Sequence, residues 1–425
     1  MSVTFHLACA DCGATYAGLD ARYTCDCGGT LDVVHDAHAA EVSFDAFDQR
    51  LRSRRAIDRS GVWRFRELIL PAPESVVAAR PEGNTNLYDS PALARFVGLD
   101  RLQLKHEGEN PTGSFKDRGM TVAITMARWL GRRRVACAST GNTSASMAAY
   151  AAIAGLEAYV FVPEGKIAYG KLAQALAYGA RTIQIAGDFD RAMALVREVC
   201  DAEDVYLVNS VNPFRIEGQK AIGFEILQDL EWAVPDWIVL PGGNLGNNTA
   251  IAKGLIELHE RGSIDRLPRI AVVQAEGASP LAKAWASGAD VVPERADTVA
   301  SAIRIGDPVS WRKSLRGLRA TNGVVLAVSD QEIVDAKAKV DAAGIGAEPA
   351  SCATVAGLRR LVASGTIAED AHVVGVLTGH VLKDPELVVG YHQGTLDGLQ
   401  APHANPPVQA EGTLGGVLAA MGLRA

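Results

Sequence analysis

The sequence predicts an α/β protein built from two parallel, helix-covered sheets, with a small cysteine-bearing segment in front. Three observations carry this expectation. Short apolar runs without polar alternation recur from Arg134 onward, and helical patterns separate most of them. Continuous apolar strands between helices belong in parallel sheets covered on both faces. The chain has 425 residues, and single cores stop growing near about 250–300 residues, so the pattern asks for two sheets.

The elements follow in order. Val135–Ala138 reads as a buried strand and Asn142–Ala154 as a helix of small residues. Tyr159–Val162 is a strand, followed by a helix from about Ala168 to Tyr178. Further strands are expected at Arg181–Ile185, Val205–Asn209, Trp237–Leu240, Ile270–Gln274, Gly323–Val328 and Val373–Leu377. Helices are expected over Ile216–Leu230, Asn247–Arg261 and Ser329–Ala343; the last opens with Ser329 and Glu332 in a capping-box arrangement. Arginines crowd residues 44–67 (Arg50, Arg52, Arg54, Arg55, Arg59, Arg64, Arg66), with Asp45, Asp48, Asp58 and Glu67 among them. That mixture predicts a solvated helix face. After Gln400 the prolines at 402, 406 and 407 suggest a linker and a short terminal helix.

Composition narrows the function. With 42 Lys and Arg against 49 Asp and Glu the net charge is −7, a poor start for a nucleic-acid or anionic-membrane binder. No apolar run reaches the roughly 18 residues of a membrane span. The start MSVTFHLACADCG lacks a basic n-region and a long apolar stretch, so a cytoplasmic protein is expected. Of the 7 cysteines, Cys9, Cys12, Cys25 and Cys27 cluster near the N-terminus. Paired cysteines with Gly13, Gly28 and Gly29 at the turns look like a zinc ribbon, and four thiolates make the closed tetrahedral site of structural zinc. Cys137, Cys200 and Cys352 sit in apolar patterns and are expected in the core.

Four polar clusters fall at strand or helix ends, where open α/β sheets place ligands. In Asn110-Pro111-Thr112-Gly113-Ser114-Phe115-Lys116 the turn residues put Ser114 at a helix N-cap and Lys116 in the first helical turn. The helix dipole and burial both disfavour an ammonium there, and a neutral amine is what a Schiff base requires. Gly242-Gly243-Asn244-Leu245-Gly246-Asn247 joins a strand to a helix, a turn whose backbone N–H groups can close around a phosphate. It matches neither common nucleotide motif. Ser139-Thr140-Gly141-Asn142-Thr143 offers hydroxyls and free N–H groups suited to a carboxylate, a reading compatible with helix capping by Asn142 or Thr143. Thr378 and Gly379 end the last expected strand.

The segment from Glu107 through Lys116 to Gly119 resembles the Schiff-base segment of the threonine synthases, pyridoxal-phosphate enzymes with the tryptophan-synthase β-like fold (fold type II). Glu82-Gly83-Asn84-Thr85-Asn86-Leu87 resembles their entry motif, with Asn86 where proline is usual. The similarity runs from about Ser60 to Pro385. It implies that Lys116 holds the cofactor and that Gly243, Asn244, Leu245, Gly246 and Asn247 hold its phosphate. Asn142 would bond the pyridoxal 3′-oxygen, and Thr378 would face the pyridine nitrogen. A hydroxyl there leaves the ring a weaker electron sink than a carboxylate would. Ser139, Thr140 and Thr143 would receive the substrate carboxylate, and Asn209, Ser210 and Arg215 a second anion, the substrate's phosphate. The implied reaction converts O-phosphohomoserine and water to threonine and phosphate, by elimination at Cγ and addition of water at Cβ. A homodimer is expected. Cysteate synthase and serine/threonine dehydratase are rivals in the same fold; a zinc-ribbon adaptor contacting nucleic acid is the rival outside it. The implied layout is a zinc-ribbon-like segment over 1–38, a helical segment over 39–80, a large cofactor domain over 81–125 and 216–400, a small domain over 126–215 and a tail over 401–425.

Overall fold

In the computed structural model, which describes residues 4–36, 42–164, 169–187 and 189–423, thirteen strands form three sheets. The N-terminal sheet is antiparallel and holds β1 (Phe5–Cys9), β2 (Thr15–Ala17) and β3 (Leu31–His35), with β1 in the middle. The large sheet holds β4 (Leu87–Asp89), β5 (Leu102–His106), β10 (Trp237–Pro241), β11 (Arg269–Ala275), β12 (Val324–Val328) and β13 (Val373–Leu377) in the order β12-β11-β10-β13-β5-β4. Only the edge strand β4 runs antiparallel to its neighbour. The third sheet is wholly parallel, in the order β8-β7-β6-β9, from β6 (Arg134–Ala138), β7 (Glu157–Pro163), β8 (Arg181–Ile185) and β9 (Val205–Leu207).

The apolar runs are buried as their lack of alternation requires: every residue of β10 and β13 is buried. Val205–Asn209 is strand only to Leu207, because the Asn209 side chain takes over the pairing with β6 through the Ala138 backbone. The helix after β7 is Tyr169–Ala177; its expected start at 168 lies outside the described residues. The Ser329–Glu332 capping box is formed, with both reciprocal bonds present.

Two expectations are corrected. Ser114 is not the N-cap: Phe115 holds that position without a side-chain bond, while Ser114 pairs its backbone with Gly379. The arginine-rich stretch is not uniformly solvated. Arg64 is fully buried and joins Glu225 at 3.3 Å, whereas Arg50 and Arg66 pair near the surface with Glu67 and Asp58. Trp63 is buried beside it and donates through Nε1 to Thr121 Oγ1 at 2.8 Å. This clamps the N-terminal segment to the helix Lys116–Trp129.

Candidate active site

Lys116 opens its helix at the junction of the two parallel sheets, on a turn bonded from three sides. Asp117 accepts from Thr112 N at 2.7 Å, Thr112 Oγ1 at 2.6 Å and Ser146 Oγ at 2.6 Å. The turn is thereby tied to itself and to the helix Asn142–Ala154. Phe115 N donates to Thr378 O at 3.1 Å and His380 N to Gly113 O at 3.0 Å, which sews the turn to the end of β13. One residue on, the buried Arg118 guanidinium meets Glu107 at 2.6 Å and Glu225 at 2.9 Å. Glu225 also takes Lys105 at 2.8 Å and the backbone N–H groups of Asn84 and Thr85. A buried ion network of this kind holds its place because removing any member strands a charge.

The Lys116 amine lies 3.9 Å above the Phe115 ring. Desolvation, reinforced by the nearby charge of Arg215, pushes it down to about 7. The amine is therefore substantially neutral at physiological pH, as a nucleophile toward an aldehyde must be. Arg215, in the first turn of the helix Phe214–Asp229, is buried. Its Nη1 donates to Val208 O at 3.1 Å, its Nε has no partner, and among the described residues no carboxylate pairs with it. Burial brings it down to about 10, so it stays a cation. A buried cation without a counter-charge is costly unless an anion arrives.

The Gly-rich turn lies against the helix Phe214–Asp229. Leu245 takes a left-handed conformation (φ 64°) and the helix Gly246–Glu260 starts next to it without a side-chain cap. Both amide atoms of buried Asn247 lack partners, as does Gln219 Oε1, and Gly246 lies next to that Gln219 oxygen. Of these atoms only Asn247 Nδ2 is a donor; together with the uncapped N–H groups of the helix start it makes an anion site by chemistry. Asn244 is held by Ser310 N on its carbonyl oxygen, and a Cβ on Gly243 would lie 3.2 Å from Ala302 O.

Asn142 donates to Glu348 Oε2 at 3.0 Å, and Thr378 Oγ1 lies 3.3 Å from Glu348 Oε1 and 2.9 Å from Ser351 Oγ. Glu348, whose carboxyl burial pushes up, thus joins two of the expected cofactor residues. Neither Asn142 nor Thr143 caps its helix; Gly141 does, without a side-chain bond. Ser139 accepts from Gly141 N, and Ser139, Thr140 and Thr143 are half-buried at the end of β6. Asn209 differs from expectation. Its amide is committed to Ala138 N and O, both at 3.0 Å, so it shapes the Ser139 loop.

Sequence reasoning missed Glu348 and Gln219. Glu348 carried a signal, since an acid followed by Pro349 marks a helix start. Gln219 carried none.

Away from the cleft, the sulfur atoms of Cys9, Cys12, Cys25 and Cys27 lie within 4.8 Å of one another. Cys9–Cys27 and Cys12–Cys25 are 3.6 and 3.5 Å apart. Tetrahedral thiolates at about 2.3 Å from zinc stand about 3.8 Å apart, so the donor set fits that ion.

The model of the family described as pyridoxal-phosphate dependent enzyme matches residues 78–379. A threonine synthase of Methanosarcina acetivorans is 49% identical over 91% of this chain and 94% of its own. One from Methanocaldococcus jannaschii is 46% identical over 90% and 93%. Among solved structures, the processed form of threonine deaminase isoform 2 from Solanum lycopersicum superposes with a TM-score of 0.62. It has 19% identity and covers 80% of this chain and 90% of that one, a likeness of fold alone. Lys116, the orphaned Asn247 amide and the free helix N-terminus at Gly246 fit a pyridoxal phosphate. The chain belongs to the threonine synthase family of pyridoxal-phosphate dependent enzymes.

Proposed function

We propose that the protein converts O-phosphohomoserine and water to threonine and inorganic phosphate. The observation that carries this reading is Arg215, a buried guanidinium that no carboxylate among the described residues pairs with, close enough to Lys116 to depress its basicity. A dehydratase acting on serine or threonine has no second anion to hold; a phosphorylated substrate does.

Bound pyridoxal phosphate supplies an electron sink for charge developing on the substrate carbons. Lys116 would anchor it and, once the substrate's amine has replaced the lysine on the cofactor, would as a free neutral amine move protons at Cα and Cβ. Gly243, Asn244, Leu245, Gly246 and Asn247 hold the cofactor phosphate with backbone N–H groups and the Asn247 amide. Asn142, oriented by Glu348, would face the 3′-oxygen, and Thr378, held by Ser351, would face the ring nitrogen. The substrate carboxylate rests on Ser139, Thr140 and Thr143 at the start of the helix Asn142–Ala154. Ser210 and Arg215 grip the phosphate in a fixed fork while the Cγ–O bond breaks and charge gathers on the leaving group. The protein works as a cytoplasmic homodimer in this reading, divided into the cofactor domain (81–125, 216–400) and the small domain (126–215).

The test is a substrate panel. O-phosphohomoserine should yield threonine and phosphate in equal amounts, with homoserine, serine, threonine and O-phosphoserine turned over far more slowly. Ketoacid from serine or threonine without phosphate release from O-phosphohomoserine would transfer the protein to the dehydratases. A sulfonated product from O-phosphoserine and sulfite would transfer it to the cysteate synthases.

A further inference from the structure

The segment that carries the cysteine cluster contacts both the helix Trp311–Ala320 and strand β9. Between Cys9 and Cys12, the Ala10 carbonyl accepts from Arg316, and Asp11 lies 3.9 Å from Arg312. Lys313 of the same helix, Trp311–Ala320, donates to Leu31 O at 2.8 Å and meets Asp32 at 2.9 Å. That helix reaches the cofactor-phosphate turn: Ser310 N donates to Asn244 O, and Ser314 Oγ accepts from Asn248 at 2.7 Å. Just before Cys25 the other arm begins. Tyr23 Oη accepts from Leu207 N at 2.8 Å, and its ring packs 5.5 Å from that of Tyr206. The next carbonyl along the chain, Val208 O, is the one that holds the Arg215 guanidinium.

The ribbon is thus a bridge. The Cys9–Cys12 turn and the β3 residues Leu31 and Asp32 lead to Asn244, while the turn that enters Cys25 leads through Tyr23 to Arg215. β1 pairs with β3 over five residues, with Cys9 opposite Leu31, but Cys12, Cys25 and Cys27 lie outside the strands. Cys12 and Cys27 are exposed, so packing does not fix them; a shared ion would.

We propose that a zinc ion bound by Cys9, Cys12, Cys25 and Cys27 cross-links these arms and sets the position of the Val205–Arg215 segment against the Asn244 turn. Its role is to position Arg215, not to touch substrate. The inference takes from the proposed function only that Arg215 faces an anion, and its primary readouts do not involve turnover.

The experiment uses the full chain loaded with pyridoxal phosphate, purified without chelator. Metal analysis should give one zinc per chain. Cys27→Ser should lose the ion, and residues 205–215 should then exchange their amide hydrogens faster while the cofactor absorbance stays. Tyr23→Phe keeps all four thiols and breaks only the contact to Leu207. It should retain zinc, yet the Leu207 amide should exchange roughly tenfold faster, as expected for loss of one hydrogen bond. In both variants KM for O-phosphohomoserine should rise more than kcat falls. Absence of zinc from the purified protein overturns the proposal. So does unchanged exchange over 205–215 in zinc-free protein, or unchanged Leu207 exchange in Tyr23→Phe, which also decides the matter if Cys27→Ser does not fold. If the exchange changes appear but O-phosphohomoserine is not a substrate, the bridge stands and the functional reading falls.

Discussion

Gly218 packs so tightly against the Arg118 carbonyl that a Cβ at position 218 would overlap the oxygen. A turn away the contact is mirrored, with a Cβ on Gly119 falling 2.7 Å from Arg215 O. The helices Lys116–Trp129 and Phe214–Asp229 therefore cross backbone to backbone, and this crossing brings Lys116 and Arg215 to one site. Gly218→Ala should force the helices apart, at a cost of about 1–3 kcal/mol or more of stability. Urea unfolding should report that loss, with KM for the phosphorylated substrate raised. Unaltered stability would show that the crossing has slack.

The depressed basicity of Lys116 makes a pH prediction for the cofactor-free protein. An ordinary lysine is about 0.1% neutral at pH 7.4, whereas one brought to about 7 is mostly neutral there. The rate of pyridoxal phosphate capture should rise to a plateau just above pH 7. Arg215→Ala removes a nearby positive charge, which favours the ammonium, so the inflection should move upward. A rate that keeps climbing tenfold per pH unit beyond 9 would contradict the assignment.

Arg215→Ala should cost on the order of 2–4 kcal/mol in transition-state stabilisation, as for one preorganised donor. Cofactor absorbance should survive, and preference for O-phosphohomoserine over homoserine should collapse. Near-normal kcat/KM would remove Arg215 from the substrate's phosphate.

Glu225 gathers Arg118, Lys105 and Arg64. Burial opposes its charge, but Arg118 and Lys105 hold its carboxyl well below the ordinary range. A depressed carboxylate contributes stability that is present above its unfolded value, near about 4.3, and lost as pH falls through its folded value. Glu225→Gln should destabilise by about 3–5 kcal/mol at pH 7, and the gap to the parent should narrow in acid. Denaturation curves at pH 7 and pH 3.5 check both; a gap that does not depend on pH would assign the loss to packing instead.

Lys105 shows why part of the fold was hidden in the sequence. Strand β5 reads Leu-Gln-Leu-Lys-His, a half-polar pattern, yet all five residues are buried. Its lysine is satisfied by Glu225 and Asp229, more than 100 positions away, and no local pattern encodes such a partner. Strands without internal charges, such as Val373–Leu377, were legible because burial on both faces leaves an uninterrupted apolar run. The site divides the same way. Lys116 and the Gly243–Asn247 turn stand in distinctive local motifs, whereas Glu348 acquires its role only by meeting Asn142 across the cleft. Ser114 misled because turn chemistry fixes that a helix begins there but not which residue caps it.

The claim on which the rest depends is that Lys116 anchors the cofactor. Borohydride reduction of the yellow, cofactor-loaded protein, followed by peptide mapping, tests it in one step. The pyridoxyl group should appear on the peptide containing Lys116, with none on that peptide and no absorbance near the visible in Lys116→Ala. Recovery of the group on Lys105, on Lys383 or on Lys166, which lies outside the described residues, would contradict it.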